Sequence, residues 1–332
     1  MKKILITGGT SYIGKHCIAQ LLKKKYQVRT TVRDLSKTHT ISLDIENYLQ
    51  SKIELEFIKA DLTNDNGWKE AVKGCDAILH VASPFPRNFK GEKSDLIIPA
   101  RDGTKRVLRA ARDSEVYRLI ITSSNAAISG GQPNIFTFNE NNWTNLESEN
   151  LSAYSISKTL AEKEVWNFAN RYKEMKLTTI NPALVLGPGI GEQSNSASIQ
   201  IFKMLLNREI PFIPDIYISI VDVRDVAKMH ISALENTNSI GKRFLLCENV
   251  YRIKKLSLKL IELGYQAPTL VVPSFFVKLA SLFDNRINEI MPLLGKSYEI
   301  NSNLAKEQLG FKPIPMCDTL KDMAAYLRYY LK

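Results

Sequence analysis

Apolar residues in the first two-thirds of the chain fall into two alternating rhythms. Ile4-Leu5-Ile6-Thr7 is a short continuous apolar run, the pattern of a strand covered on both faces of a parallel sheet. A helical period follows from Ile13 to Lys24. Strand-like runs recur at Val28–Val32, Leu55–Ala60, Ala77–Val81, Leu119–Thr122 and Leu177–Asn181, and helical patterns at Gly67–Lys73, Ile97–Ser114 and Tyr154–Lys173. Strand then helix, joined by short connections, predicts a doubly wound parallel α/β sheet. Beyond Gly187 the rhythm loosens. Pro188, Pro211 and Pro214 punctuate the chain, and a strand near Ile216–Val221, a helix near Val223–Leu234 and a strand Arg243–Cys247 precede a mostly helical tail. The expected division is a nucleotide-binding domain over residues 1–187 and a smaller, mainly substrate-binding C-terminal lobe over 188–332. The strands near 216–221 and 243–247 remain free to return to the sheet. Ligands in this architecture bind at the carboxyl edge of the strands.

The 332 residues suffice for one large domain carrying such a lobe. A formal net charge of +11 raises nucleic acid or a membrane surface as partners. The basic residues do not cluster in that way. Lys23-Lys24-Lys25 is the single run of three, and it closes a predicted helix, where cations suit the dipole. The excess reads as a solvated basic surface, with neither nucleic acid nor membrane expected as a partner. Cys17, Cys75, Cys247 and Cys317 form no CxxC pair, and His16, His39, His80 and His230 stand at no ligand spacing to them. A disulfide frame or a zinc site is therefore not expected. The most apolar stretch, Leu270 to Phe283, is interrupted by Pro273 and Lys278 and reads as a core or pocket-covering helix, too short to span a bilayer. The chain opens directly on a strand-like run, which predicts no secretory signal and a cytoplasmic location.

Thr7-Gly8-Gly9-Thr10-Ser11-Tyr12-Ile13-Gly14 joins the first strand to the first helix. Gly8 permits a tight turn, Gly14 lets the helix approach the strand, and free amides from Thr10 to Ile13 at the helix start suit a pyrophosphate. Ser11 stands where a middle glycine is expected, with a side chain placed to narrow that approach. At the end of the second strand, Val32-Arg33-Asp34 offers a guanidinium where an NAD site places an acid, which predicts NADP(H). Lys37 adds positive charge; Asp34 sits one place late and reads as loop. Asp61 and Leu62 follow the third strand, the usual place for adenine contacts. Val81, Ala82 and Ser83 end the fourth, where the backbone passes beneath pyrophosphate and ribose, and His80 reads as a core imidazole.

Tyr154-Ser155-Ile156-Ser157-Lys158 puts a phenol and an ammonium four residues apart on one helical face. A free tyrosine has a pKa of about 10, and a neighbouring cation lowers it toward the range of a useful acid. Lys158 is also placed to bind the nicotinamide ribose. Ser124, ending Thr122-Ser123-Ser124, can donate to a developing alkoxide. Asn181-Pro182-Ala183-Leu184-Val185 ends the next strand, close to where a carboxamide would lie, with Pro182, Leu184 and Val185 as contacts. Phe85, Phe89, Phe136, Phe202 and Phe212 are candidate apolar pocket walls that simple packing also explains.

These motifs together resemble the extended short-chain dehydrogenase/reductase superfamily. More narrowly they resemble its dihydroflavonol 4-reductase-like and cinnamoyl-CoA reductase-like branch, including bacterial aldehyde reductases. The matching segments are TGGTSYIG at Thr7, TVRD at Thr31, ADL at Ala60, HVASP at His80, TSS at Thr122, YSISK at Tyr154, NPALVLGP at Asn181, VDVRDVAKMH at Val221 and LGFKP at Leu309. The resemblance implies a Rossmann fold with a small C-terminal substrate lobe, and an NADPH-dependent reductase of small carbonyl compounds; the sequence leaves monomer and homodimer both open. The resemblance assigns Tyr154 as proton donor, Lys158 as its partner, Ser124 as stabiliser, Arg33 as reader of the 2′-phosphate, and Ser198 to a place near the cofactor phosphates. Asn125–Gly131 and Pro188–Ser198 are expected to shape the substrate pocket. Three other readings stay open: a nucleotide-sugar epimerase or dehydratase, a 3β-hydroxysteroid dehydrogenase-like enzyme, and a non-catalytic NADP-sensing regulator.

Overall fold

Seven parallel strands form the centre of the molecule, in a computed structural model that describes residues 2–83, 94–132, 136–149, 151–193, 196–207, 209, 211–281 and 291–330. The chain runs through β1 (Lys3–Thr7), α1 (Tyr12–Lys23), β2 (Gln27–Val32), α2 (Thr38–Leu49), β3 (Glu56–Lys59), α3 (Trp68–Val72), β4 (Ala77–His80), α4 (Ser94–Asp113) and β5 (Arg118–Thr122). It continues through β6 (Thr137–Phe138), α5 (Ala153–Arg171), β7 (Lys176–Pro182), β8 (Leu184–Leu186), α6 (Ala197–Leu206), β9 (Ile213–Pro214), β10 (Tyr217–Asp222) and α7 (Val223–Glu235). The remainder comprises β11 (Arg243–Leu246), β12 (Asn249–Arg252), α8 (Ile253–Glu262), β13 (Val271–Val272), α9 (Ser274–Ala280), β14 (Glu299–Ile300), α10 (Asn303–Leu309) and α11 (Met316–Tyr330).

The main sheet has the order β11-β7-β5-β4-β1-β2-β3, every neighbouring pair parallel. From β1 the chain winds outward through β2 and β3, then returns to β4 on the other side, so a crevice opens between the carboxyl ends of β1 and β4. Ile4, Leu5 and Ile6 are fully buried. Ile4 and Ile6 enter the apolar layer that also holds Ile18, Val226 and Leu320, whereas Leu5 enters the layer of Trp68, Val107 and Val165, as strand alternation requires. The fold is a doubly wound Rossmann-type α/β sheet.

Three elements depart from the sequence pattern. Residues 38–49 carried no expected element, yet α2 lies there, because the parallel strands β2 and β3 need a crossover between them. Ile41 and Ile45 supply its buried side one turn apart. Downstream, β10 leaves the main sheet and pairs parallel with β8 and antiparallel with β12, while β11 joins β7 as the seventh main strand. The apolar stretch from Leu270 is not a core helix: it divides into β13 and the short α9, where Leu270, Phe275, Phe276 and Leu279 are exposed and Val277 is buried. Its last residue, Phe283, lies outside the described residues. No helix among the described residues is long and apolar enough to cross a membrane.

Burial holds three imidazoles neutral. His16, His80 and His230 have their pKa lowered to about 4, about 3 and about 4, chiefly by desolvation, with the charge of Lys158 adding to the effect at His80. His16 Nε2 donates to the carbonyl of Pro188 at 2.9 Å, and His230 Nδ1 to that of Val226 at 2.8 Å. Burial acts in the opposite direction on Asp225, pushing its carboxyl up to about 6. As pH falls below about 6.5 the unfolded chain protonates all three imidazoles, while of these four groups the folded chain gains a proton first at Asp225. Between about pH 6 and pH 5 the unfolded state thus binds about two more protons at these groups, and their contribution to stability drops by up to about 3 kcal/mol per pH unit as the solution is acidified. Denaturant unfolding across that window is expected to show this loss, made steeper by Asp225→Asn, which removes the opposing group. Constant stability would contradict neutral burial of the imidazoles.

Candidate active site

One cavity of about 2060 Å³ runs along the carboxyl edge of the main sheet, and the glycine-rich turn forms part of its wall. Gly8 has a positive φ of 79° and donates its amide to Thr31 Oγ1 at 3.1 Å. A Cβ on Gly9 would lie 2.4 Å from Thr30 Oγ1, and one on Gly14 2.4 Å from the carbonyl oxygen of Gly8. Both positions therefore require glycine. Ser11 does not obstruct the turn. Its hydroxyl donates to the Gly8 carbonyl at 2.7 Å and accepts the Gly14 amide at 3.1 Å, which makes it the N-cap of α1. Gly8, Thr10, Ser11, Tyr12 and Ile13 all line the cavity. The phenol of Tyr12 points away, donating to the Gly187 carbonyl inside the core, so what it presents to the cavity is backbone.

Thr7 ties the two central strands together at this edge. Its Oγ1 accepts the amides of Val81 and Ala82 at 3.1 Å and 3.0 Å and lies 2.8 Å from His80 Nδ1. With two donors already directed at the oxygen, the hydroxyl proton goes to the neutral imidazole, and His80 is a satisfied core residue. Val81, Ala82 and Ser83 line the cavity above it.

Further along the same wall stand Arg33, Asp61 and Leu62. Arg33 is exposed, and its charge helps lower the carboxyl pKa of Asp61, after the amide and hydroxyl of Thr63, each 2.8 Å from Asp61 Oδ1. Arg33 thus lies near enough to Asp61 for its charge to be felt at this wall of the cavity. Lys37 closes a short 3-10 turn at Leu35–Lys37 and is not among the lining residues.

Ser124, Tyr154 and Lys158 line the opposite end together with Pro182, Leu184 and Val185. Tyr154 and Lys158 occupy the first turns of α5, which is capped by Ser152, and Lys158 Nζ lies 5.8 Å from the centre of the phenol ring. Lys158 is 8% exposed and donates to Ser83 Oγ at 3.0 Å. Ser124 Oγ accepts the amide of Ala126 at 3.1 Å, leaving its own proton without an acceptor among the described residues. Ser123, by contrast, donates its proton to the buried carboxylate of Glu162.

Of the proposed aromatic walls, Phe136 lines the cavity; Phe202 is buried in the core, and Phe212 is exposed away from the lining. Phe85 and Phe89 lie outside the described residues. The loop after β8 contributes Gln193 and Ser196, and the first turn of α6 contributes Ser198. That loop is pinned from beneath: Lys15 donates to Ile190 O at 3.0 Å, and Tyr326 to Gly191 O at 2.7 Å while accepting the Gln193 amide at 3.1 Å. Asn125, Ser129 and Gly131 also line the cavity, and Asn125 Nδ2 donates to Ser219 Oγ at 2.8 Å. Sequence reasoning missed Ser219, Tyr326 and Glu162; of these, Glu162 alone left a signal, standing one turn beyond Lys158 on the same helix.

The profile of the NAD dependent epimerase/dehydratase family matches residues 4–247, and the chain belongs to that family. Cinnamoyl-CoA reductase CAD2 of Medicago truncatula is 33% identical over 253 residues, spanning 73% of this chain and 75% of the relative. NADPH-dependent methylglyoxal reductase GRE2 of Saccharomyces cerevisiae is 30% identical over 267 residues, spanning 74% and 78%. The crystal structure of Gre2 from Candida albicans in complex with NADPH matches with a TM-score of 0.81 at 27% identity, covering 100% of both chains. The resemblance to extended short-chain dehydrogenases/reductases, drawn from the motifs, is borne out by these relatives.

The turn geometry makes a prediction about Ser11. Ser11→Ala is expected to cost about 1 kcal/mol of stability through the lost cap, with NADPH affinity changed less than about threefold. Gly9→Ala, which drives a methyl into Thr30, is expected to abolish binding. A Ser11→Ala protein that melts like wild type but binds NADPH more than about tenfold more weakly would place the hydroxyl on a phosphate instead.

Proposed function

We propose that this chain is an NADPH-dependent carbonyl reductase in which Tyr154 protonates the oxygen of an aldehyde or ketone as hydride reaches the carbonyl carbon. It is an NADP-dependent oxidoreductase, and the residues present suit that cofactor. The observation that carries the reading is that Ser124, Tyr154 and Lys158 line the same cavity as a glycine turn that excludes side chains and a guanidinium at the end of β2. Amides at the start of α1 would hold the pyrophosphate, and Arg33 the 2′-phosphate. On this reading residues 1–187 bind the cofactor and 188–332 mainly shape the substrate site, with β11 returning to the sheet.

When bound, the nicotinamide supplies the hydride. The chain's own residues manage the charge that results. Ser124 donates its unused proton to the carbonyl oxygen as negative charge gathers there, and Tyr154 transfers its phenolic proton to the same atom. The ammonium of Lys158, held at Ser83, favours the phenolate left behind. Neutral His80 beneath it does not compete as a cation. Asn125 and Ala126 follow Ser124, where a sugar-nucleotide dehydratase would carry an acidic pair, and this favours simple reduction over dehydration.

The test follows NADPH fluorescence with a panel of aldehydes and ketones. Tyr154→Phe is expected to lose at least about a hundredfold in turnover while still binding NADPH. Arg33→Ala is expected to narrow the preference for NADPH over NADH by about tenfold to a hundredfold. Full turnover by Tyr154→Phe, or an unchanged preference in Arg33→Ala, would overturn the corresponding assignment.

A further inference from the structure

Beneath the cavity lies a carboxylate that the mechanism above does not use. Glu162 is on α5, four residues beyond Lys158 and eight beyond Tyr154, so the three side chains share one face of the helix. It is 1% exposed. Its Oε2 accepts the hydroxyl of Ser123 and the amide of Asn181, the latter at 2.7 Å. Its Oε1 accepts Arg243 Nε at 2.6 Å, Thr179 Oγ1 at 3.1 Å and Trp166 Nε1 at 3.2 Å. One buried group thereby joins α5 to the carboxyl end of β5, to β7 and to β11. Asn181 carries the connection onward, since the same amide donates to the backbone carbonyl of Ser124 at 3.1 Å.

Arg243 is fixed just as closely. It is 8% exposed, its guanidinium lies 3.8 Å from the ring centre of Trp143, and Nη1 donates to the carbonyls of Glu140 and Asn142 at 2.8 Å and 2.7 Å. This arrangement decides two competitions. A lysine and a carboxylate one helical turn apart can pair across i, i+4, more weakly in this Lys-before-Glu order than in the reverse. Here both carboxylate oxygens are filled by other donors, the ion pair forms with Arg243, and Lys158 reaches Ser83 instead. The second competition is between neighbouring hydroxyls: Glu162 takes the proton of Ser123, while Ser124 spends only its lone pair, on Ala126 N.

We infer that the buried Glu162–Arg243 pair positions the active site, keeping Lys158 turned toward the cofactor and leaving Ser124 rather than Ser123 to donate to the substrate. The inference rests on the reductase reading for its reaction, but the competition for Lys158 can be read from cofactor binding without turnover. Removing Arg243 alone strands a carboxylate beside Lys158, whereas removing both charges together leaves nothing to capture it.

The experiment compares Arg243→Met, the double variant Glu162→Gln/Arg243→Met, Ser123→Ala and Ser124→Ala. NADPH dissociation constants, kcat and melting temperatures are measured for each, with wild type and Tyr154→Phe run alongside to report on the reductase reading itself. Arg243→Met is expected to weaken NADPH binding and to lower kcat, each by about tenfold, and the double variant to recover most of both losses. Ser123→Ala is expected to keep at least about ten times the turnover of Ser124→Ala. The inference is overturned if Arg243→Met binds NADPH as wild type does, or if the double variant binds it no better than Arg243→Met. Should Arg243→Met fail to fold, the double variant still decides: weak NADPH binding in a protein with wild-type melting would equally refute it. Equal losses in the two serine variants would refute the choice of Ser124.

Discussion

The site depends on how the backbone is satisfied where β1 and β4 diverge. Parallel strands that turn away from each other leave amides beyond their last shared hydrogen bond, and buried amides without partners are costly. Thr7 meets this need with one hydroxyl that accepts Val81 and Ala82 and passes its proton to His80. The two strand ends are held together while the space above them stays open. Gly8 and Gly9 then turn the chain within van der Waals reach of Ala82 and Thr30, which is why neither position tolerates a side chain. Everything that faces a dinucleotide follows from that closure.

The chemistry at the far end uses the same economy of donors and acceptors. Ser123 gives its proton to Glu162 and Lys158 donates to Ser83, whereas the proton of Ser124 has no acceptor among the described residues. Of the other basic groups around Lys158, the imidazoles are neutral by burial and Arg243 is paired with Glu162. On the proposed reading, a fixed cation beside a phenol, at an end also lined by Pro182, Leu184 and Val185, favours proton transfer without rearrangement during the reaction.

Much of this was legible in the sequence because the signals are local. The continuous apolar run at Ile4–Thr7 marks a doubly covered strand, and the glycine turn sits between strand and helix as its chemistry demands. Tyr154 and Lys158 are one helical turn apart, a spacing common by chance that the strand-end motifs at Ser124 and Asn181 singled out. What escaped was non-local or ambiguous. Helix α2 has only two buried apolar residues amid polar ones, too thin a stripe to stand out. Ser11 looked obstructive because the inward turn of its hydroxyl depends on the Gly8 carbonyl and Gly14 amide meeting it. The Glu162–Arg243 pair spans 81 residues, and nothing in either segment announces the other. Phe136 and Phe202 read alike as aromatics, yet the fold exposes one to the cavity and buries the other.

The central claim is spatial: a phenol, an ammonium and a hydroxyl gather around a carbonyl beside a nicotinamide whose adenosine end is read by Arg33. A crystal structure of the chain with NADP⁺ and an unreactive carbonyl analogue tests it most directly. The account predicts Lys158 on the nicotinamide ribose, Tyr154 and Ser124 both on the analogue's oxygen, and Arg33 on the 2′-phosphate. A nicotinamide ring bound away from Tyr154, or a 2′-phosphate left to solvent with Arg33 turned aside, would contradict it.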